Sequence, residues 1–119
     1  MVRSIPKPGR PVRGSRTGRP LMAAFDLLGR RWALRILWEL RDGPVGFREL
    51  QERCEGMSSS VLRDRLGELS EAGLVGKSAD GRNELSQRGS ELGAAIAPLD
   101  AWARRWARSL AAQPDSGAG

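Results

Sequence analysis

Residues 47–75 read FRELQERCEGMSSSVLRDRLGELSEAGLV. Two short amphipathic patterns lie in this stretch, separated by a tight turn. Phe47 to Cys54 gives a short helix with Phe47, Leu50 and Cys54 inward. Glu55, Gly56 and Met57 turn the chain. Ser58 is a suitable N-cap, its hydroxyl able to accept an orphan backbone N–H from the turn that follows. The helix it opens, Ser59 to Ala72, places Leu62, Leu66 and Leu69 on one face, and Gly73 fits the position just past its end. In a helix, turn, helix of this kind the second helix reads nucleic acid and the first braces it.

The flanks extend this unit. Upstream, Pro20 suits the first turn of a helix, and Leu21, Met22, Ala24, Phe25 and Leu28 recur at helical spacing before Gly29 ends it. Arg31 to Arg41 forms the next helix. Its Trp32, Leu34, Ile36, Leu37, Trp38 and Leu40 make it apolar nearly all round and therefore central. Asp42, Gly43 and Pro44 stop it, and Val45 and Gly46 allow a very short extended piece. Downstream, Leu74 to Lys77 and Asn83 to Leu85 are two short strands joined through Asp80-Gly81. A last helix, Gln87 to Leu110, carries a long stripe through Leu92, Ile96, Leu99, Trp102, Trp106 and Leu110, with a bend expected near Ala94 to Pro98 because proline cannot donate its ladder bond. The fold class is mainly α with a small β-hairpin: a winged helix-turn-helix over residues 20–111. Residues 1–19 and 112–119 lack apolar periodicity and are expected to be disordered.

The chain has 119 residues and a formal charge of +6. Arg3, Lys7, Arg10, Arg13, Arg16 and Arg19 face no acid within the first 20 residues, whereas the other 99 carry 14 Lys+Arg against 14 Asp+Glu. The excess charge thus sits on one Pro/Gly-rich tail, which can track phosphates or enter a minor groove; a solubilising tail is the plainer alternative. No run approaches the ~18 apolar residues of a membrane span, and the basic start lacks the apolar run of a signal peptide. The chain is therefore expected to be cytoplasmic. The sequence contains one cysteine and no histidine. That excludes an intrachain disulfide and removes the commonest metal ligand and general base. With scattered acids and no glycine-rich phosphate loop or nucleophile elbow, an enzyme is not expected and no cofactor is implied.

Candidate DNA contacts follow from the outward positions of the reading helix. Ser58, Ser59 and Ser60 are small enough to let backbone N–H groups approach a phosphate at the helix N-terminus. Arg63 has the donor fork for guanine O6 and N7. Asp64 can accept from cytosine N4, or can serve as a first-turn acid that complements the helix dipole. The hairpin adds Arg82, suited to a backbone or minor-groove contact, and Lys77 nearer its base. Each also has a plain reading: an N-cap, a solvated surface, an ordinary hairpin.

The pieces in order resemble the HxlR-type branch of the bacterial MarR-like winged-helix transcriptional regulators. They are Ala24-Phe25-Asp26-Leu27-Leu28-Gly29-Arg30-Arg31-Trp32, Ile36-Leu37-Trp38-Glu39-Leu40 with Gly43-Pro44, and Phe47-Arg48-Glu49-Leu50. Ser58 with Val61-Leu62-Arg63-Asp64-Arg65-Leu66 follows, then Leu69-Ser70-Glu71-Ala72-Gly73-Leu74-Val75, Leu85-Ser86 and Gly89. The resemblance implies a homodimer built from the first and last helices, set on a pseudo-palindromic operator. It makes Arg65 a characteristic arginine of the recognition helix, which reads DNA or braces the helix. Two departures stand out. Arg19 occupies the position before the first helix's proline, where many members carry a cysteine, some of them as a sensor. The wing, with Ser78 to Arg82 between its strands, is short for this family.

The function expected is sequence-specific binding of double-stranded DNA as a homodimer, regulating nearby genes. A non-enzymatic protein-interaction module is the alternative. The dimer interface is expected at Leu21, Phe25, Leu92, Ile96, Leu99, Trp102, Trp106 and Leu110, more apolar surface than so small a domain can cover. Four tryptophans, Trp32, Trp38, Trp102 and Trp106, can bound a pocket for an unidentified small effector or fill that dimer core.

Overall fold

A computed structural model describes residues 19–112. The elements in chain order are α1 (Pro20–Leu28), α2 (Ala33–Glu39), α3 (Phe47–Arg53), α4 (Ser59–Glu71), β1 (Val75–Lys77), β2 (Asn83–Leu85) and α5 (Gln87–Ala112). The expected disordered tails lie outside the described residues, apart from their inner ends: the Arg19 carbonyl accepts the Ala23 N–H at 3.1 Å, and Ala112 is still helical. The order is that of a helix-turn-helix followed by a wing and a long last helix.

Leu62, Leu66 and Leu69 of α4 are buried, as are Leu50 of α3 and the Cys54 and Met57 side chains that follow it. They close on Ile36, Leu37 and Leu40 of α2, with Val45 and Val75 completing one core. α2 is central, touching α1, α3, α4 and α5. It is shorter than Arg31 to Arg41. Trp32 caps it in the left-handed region at φ 78°, and Leu40 leaves helical geometry at the other end. A bulky residue rarely adopts positive φ, so the break before Ala33 is imposed from outside the segment. The apolar periodicity continues through it because the Trp32 side chain still packs on the core.

The hairpin is antiparallel, with Val75 opposite Leu85, Gly76 opposite Glu84 and Lys77 opposite Asn83. Val45 adds a single bridge to its outer edge. Its N–H donates to the Asn83 carbonyl at 2.8 Å and its carbonyl accepts from the Asn83 N–H at 2.9 Å. The loop between α2 and α3 is thereby stitched to the wing. α5 runs without interruption through Pro98.

The corner where α4 turns into β1 is the tightest place in the fold. Gly73 takes φ 82°, a conformation a side chain would strain. The Ser86 hydroxyl donates to the Gly73 carbonyl at 2.5 Å and accepts the Gly89 N–H at 3.0 Å, so it caps α5 and anchors it to the corner together. α5 then crosses so close that a Cβ on Gly89 would lie 2.0 Å from the Leu74 carbonyl oxygen. Gly89→Ala is therefore expected to destabilise by about 1–3 kcal/mol through overpacking, despite the usual helix-propensity gain. Gly93, four residues on in the same helix, has nothing within 4 Å of such a Cβ. There alanine is expected to stabilise by up to about 1 kcal/mol. Urea unfolding of the two variants checks the opposite signs.

Candidate nucleic-acid interface

Burial of Leu62, Leu66 and Leu69 leaves Ser59, Ser60, Arg63 and Asp64 exposed on α4. Ser58 itself is committed to the cap. Its hydroxyl accepts the Val61 N–H at 3.2 Å and lies 3.3 Å from the Ser60 hydroxyl. The first turn of α4 holds no acid. Asp64 lies beyond that turn, so its reading as a dipole-complementing acid falls away, since the dipole effect fades within one turn. Arg63 stands with its guanidinium 5.7 Å from the centre of the Phe47 ring. Phe47 is half-buried against the core, so the bracing helix supplies a shelf under the arginine. Among the described residues no acid pairs with Arg63.

Arg65 is used differently. Its Nε donates to the Arg31 carbonyl at 2.9 Å and its Nη1 meets Glu68 at 2.9 Å. Two residues along a helix is about 200° around it, so Arg63 and Arg65 serve different faces. These bonds correspond to the bracing alternative for Arg65.

The wing cations are both held. Lys77 Nζ donates to Asn83 Oδ1 at 2.8 Å, and Asn83, 2% exposed, donates its other amide end to the Val45 carbonyl at 3.3 Å. Arg82 pairs with Asp80 at 2.9 Å and reaches the Pro44 carbonyl at 3.3 Å. The Ser78 hydroxyl also bonds Asp80. With Arg82 it holds that carboxyl below the ordinary carboxylate range. Arg63 and Lys77 face a common groove of about 420 Å³ between α4 and the hairpin, lined also by Phe47, Gly67, Ser70 and Gly76. Arg82 lies outside it, tied to the α2–α3 loop. Asn83 was missed in the sequence as anything but a strand residue. Its signal was a polar side chain opposite Lys77 on a strand position that must face inward.

The family profile of the HxlR-like helix-turn-helix matches residues 27–111. The chain belongs to the HxlR-like family. It is 33% identical over 87 residues to the HTH-type transcriptional regulator YodB of Bacillus subtilis, covering 68% of this chain and 78% of that one. The quinone-bound crystal structure of YodB superposes with a TM-score of 0.65 at 34% identity, covering 71% of this chain and 94% of that chain. A chain from Enterococcus faecalis V583 assigned to the MarR family of transcriptional regulators gives a TM-score of 0.67 at 26% identity, covering 78% of this chain and 90% of that one. The HxlR-like protein is thus a member of a family of transcriptional regulators, with a winged-helix fold shared with MarR-type structures.

The apolar stripe of this HxlR-like chain is largely uncovered. Leu21 and Phe25 on α1 are 58% and 60% exposed, and Leu99, Trp102, Trp106 and Leu110 on α5 are about half exposed. Trp102 and Trp106 stack at 5.4 Å. Leu92 differs, packing against its own core. Ile96 lies between two clefts of about 290 and 300 Å³ that flank Trp38, the tryptophan lining both. Leu34 and Trp38 on α2 are also exposed, which the all-round apolar character of α2 concealed. Among the described residues no helix is long and apolar enough to cross a membrane, and no group of His, Cys, Asp and Glu could hold a metal ion.

Cys54 is fully buried in the core of the HxlR-like domain. Burial pushes its thiol pKa up, partly offset by the nearby Arg35. A buried, protonated thiol is a poor nucleophile. In native protein Cys54 is expected to react with Ellman's reagent at least tenfold more slowly than in urea-unfolded chain. Equal rates would place the thiol at the surface.

Proposed function

We propose that this protein binds double-stranded DNA sequence-specifically as a homodimer and regulates transcription of nearby genes. The observation that carries the reading is Arg63: a guanidinium with no acid partner among the described residues, over the Phe47 ring, on the exposed face of a serine-led helix whose first turn has no acid. Its fork suits guanine. Ser59 and Ser60 let the helix end approach a phosphate, Asp64 accepts from cytosine, and Lys77 and Arg82 follow the backbone. Ser58 contributes by capping and Arg65 by bracing. The tail cations add phosphate contacts of little sequence content. A chromosomal target places the protein in the cytoplasm.

The homodimer reading rests on the uncovered stripe. Leu99, Trp102, Trp106 and Leu110 on α5 and Leu21 and Phe25 on α1 are its exposed residues, with Leu34, Trp38 and Ile96 sharing a cleft with Leu99 and Leu92 packed on the core. A second copy closing on this face would cover the clefts beside Trp38; an unidentified small effector is the other occupant they could take.

Duplexes selected from a random pool are expected to carry two inverted half-sites. On the selected duplex Arg63→Ala is expected to cost about 1–3 kcal/mol, and far less on unrelated DNA. An equal loss on both would make Arg63 a phosphate contact, and no loss would remove it from the interface. Absence of any salt-dependent duplex binding would favour the interaction-module alternative.

Sedimentation equilibrium at micromolar concentration is expected to give twice the chain mass of 13.0 kDa. Trp106→Ala is expected to weaken the dimer by about 2 kcal/mol, as for a central aromatic anchor. A clean monomer of the wild-type chain would sink the dimer.

A further inference from the structure

The face of α4 turned away from Arg63 carries a second constellation. Glu68 places one carboxylate oxygen 2.8 Å from Arg30 Nη1 and the other 2.9 Å from Arg65 Nη1. Arg30 also lies 3.9 Å from Asp26 in the last turn of α1. Arg65 Nε closes the set on the Arg31 carbonyl at 2.9 Å. The reading helix is thus tied to the turn between α1 and α2 through one carboxylate and two arginines. The side chains of Glu68, Arg65 and Arg30 are 15%, 24% and 26% exposed, so water screens them only in part.

Two features give this cluster a direction. The turn it grips ends in Trp32 at φ 78°, a strained conformation that persists only where surrounding contacts hold it. And Phe25, on the exposed apolar face of α1, lines the same cleft of about 550 Å³ as Arg65 and Glu68. One end of the cluster therefore sits on the helix that reads, the other beside the helix face that meets a second copy. Each guanidinium meets Glu68 through one nitrogen and a second group through another, Asp26 for Arg30 and the Arg31 carbonyl for Arg65, and a planar group held at two points resists rotation as well as separation. Such a link transmits orientation.

We propose that Glu68, acting through Arg30 and Arg65, is a positioning residue that sets the angle of the reading helix against the dimer seam, and so fixes half-site spacing rather than base identity. This rests on the dimeric DNA-binding reading above. Without the strut each reading helix keeps Arg63 and its neighbours but pivots about its own core contacts. Base preference within one half-site survives, and the demand for one spacing relaxes.

The test uses full-length protein and a duplex series built from the half-site that wild type selects, with the spacing between inverted copies varied one base pair at a time. Wild type is expected to lose at least tenfold in affinity one to two base pairs from its optimum. Glu68→Gln, which keeps shape but removes the charge, is expected to lose less than threefold over the same range. Its affinity at the optimum should be about tenfold lower, with its ranking of single-base changes and its sedimentation mass unaltered. Arg30→Lys, keeping the charge without the planar group that reaches both Glu68 and Asp26, is expected to behave likewise and serves if Glu68→Gln does not fold. A spacing profile as sharp as wild type in either folded variant overturns the strut alone. A changed base ranking makes Glu68 a reader and overturns it too. Loss of fold in both variants marks the cluster as a stability element and also overturns the proposal. Wild type that selects no paired half-sites defeats the dimeric DNA-binding reading itself.

Discussion

Everything that faces outward in this domain is decided by one act of burial. The inner side of α2, through Ile36, Leu37 and Leu40, must be covered, and α3 and α4 cover it with Leu50, Leu62, Leu66 and Leu69. Each such leucine removed from water contributes about 1.5–3 kcal/mol, a large share of what a small domain can gather. The cost of rotating α4 about its own axis would be the loss of several at once. Its outward positions are therefore fixed by the apolar set, and Arg63 is exposed because Leu62 and Leu66 are not. The shelf under Arg63 has the same origin, since Phe47 opens the helix whose Leu50 fills the centre.

Charge works at a finer scale. Much of the arginine in the body is engaged with nearby acids: Arg35 with Glu39, Arg53 with Glu49, Arg104 with Asp100, all one helical turn apart. Exposed pairs of this kind add little stability. Their effect is to neutralise; Arg63 differs in having no acid partner among the described residues while its guanidinium lies over the Phe47 ring. The wing shows the opposite use. Asn83 is buried and fully bonded, so Lys77 is held at the rim of the groove by a group that cannot itself move without leaving polar atoms unsatisfied.

Much of the fold was legible in the residues because its boundaries are written in local chemistry. Pro20, Gly29, Ser58 and Gly73 lie at or next to helix ends, and Asp80-Gly81 lies in the turn between the two strands. The break at Trp32 was hidden, since its apolar side chain keeps the helical period while bonds from α4 hold the turn it ends. The same limit applies to the site. Outward positions of α4 follow from counting leucines, but the different employment of Arg63 and Arg65 depends on Phe47, Arg31 and Glu68, which are distant in sequence. Leu34 and Trp38 were hidden for a related reason: an all-apolar helix does not reveal which side its own chain leaves bare.

The stacked rings of Trp102 and Trp106 have an optical consequence. The chain contains four tryptophans and no tyrosine, so its near-ultraviolet emission comes almost wholly from indole. Two of those indoles lie in contact and half in water. Any surface that closes over them exchanges solvent for hydrocarbon around the excited state and shifts its colour. The protein therefore carries, unlabelled, a reporter of whatever covers its last helix.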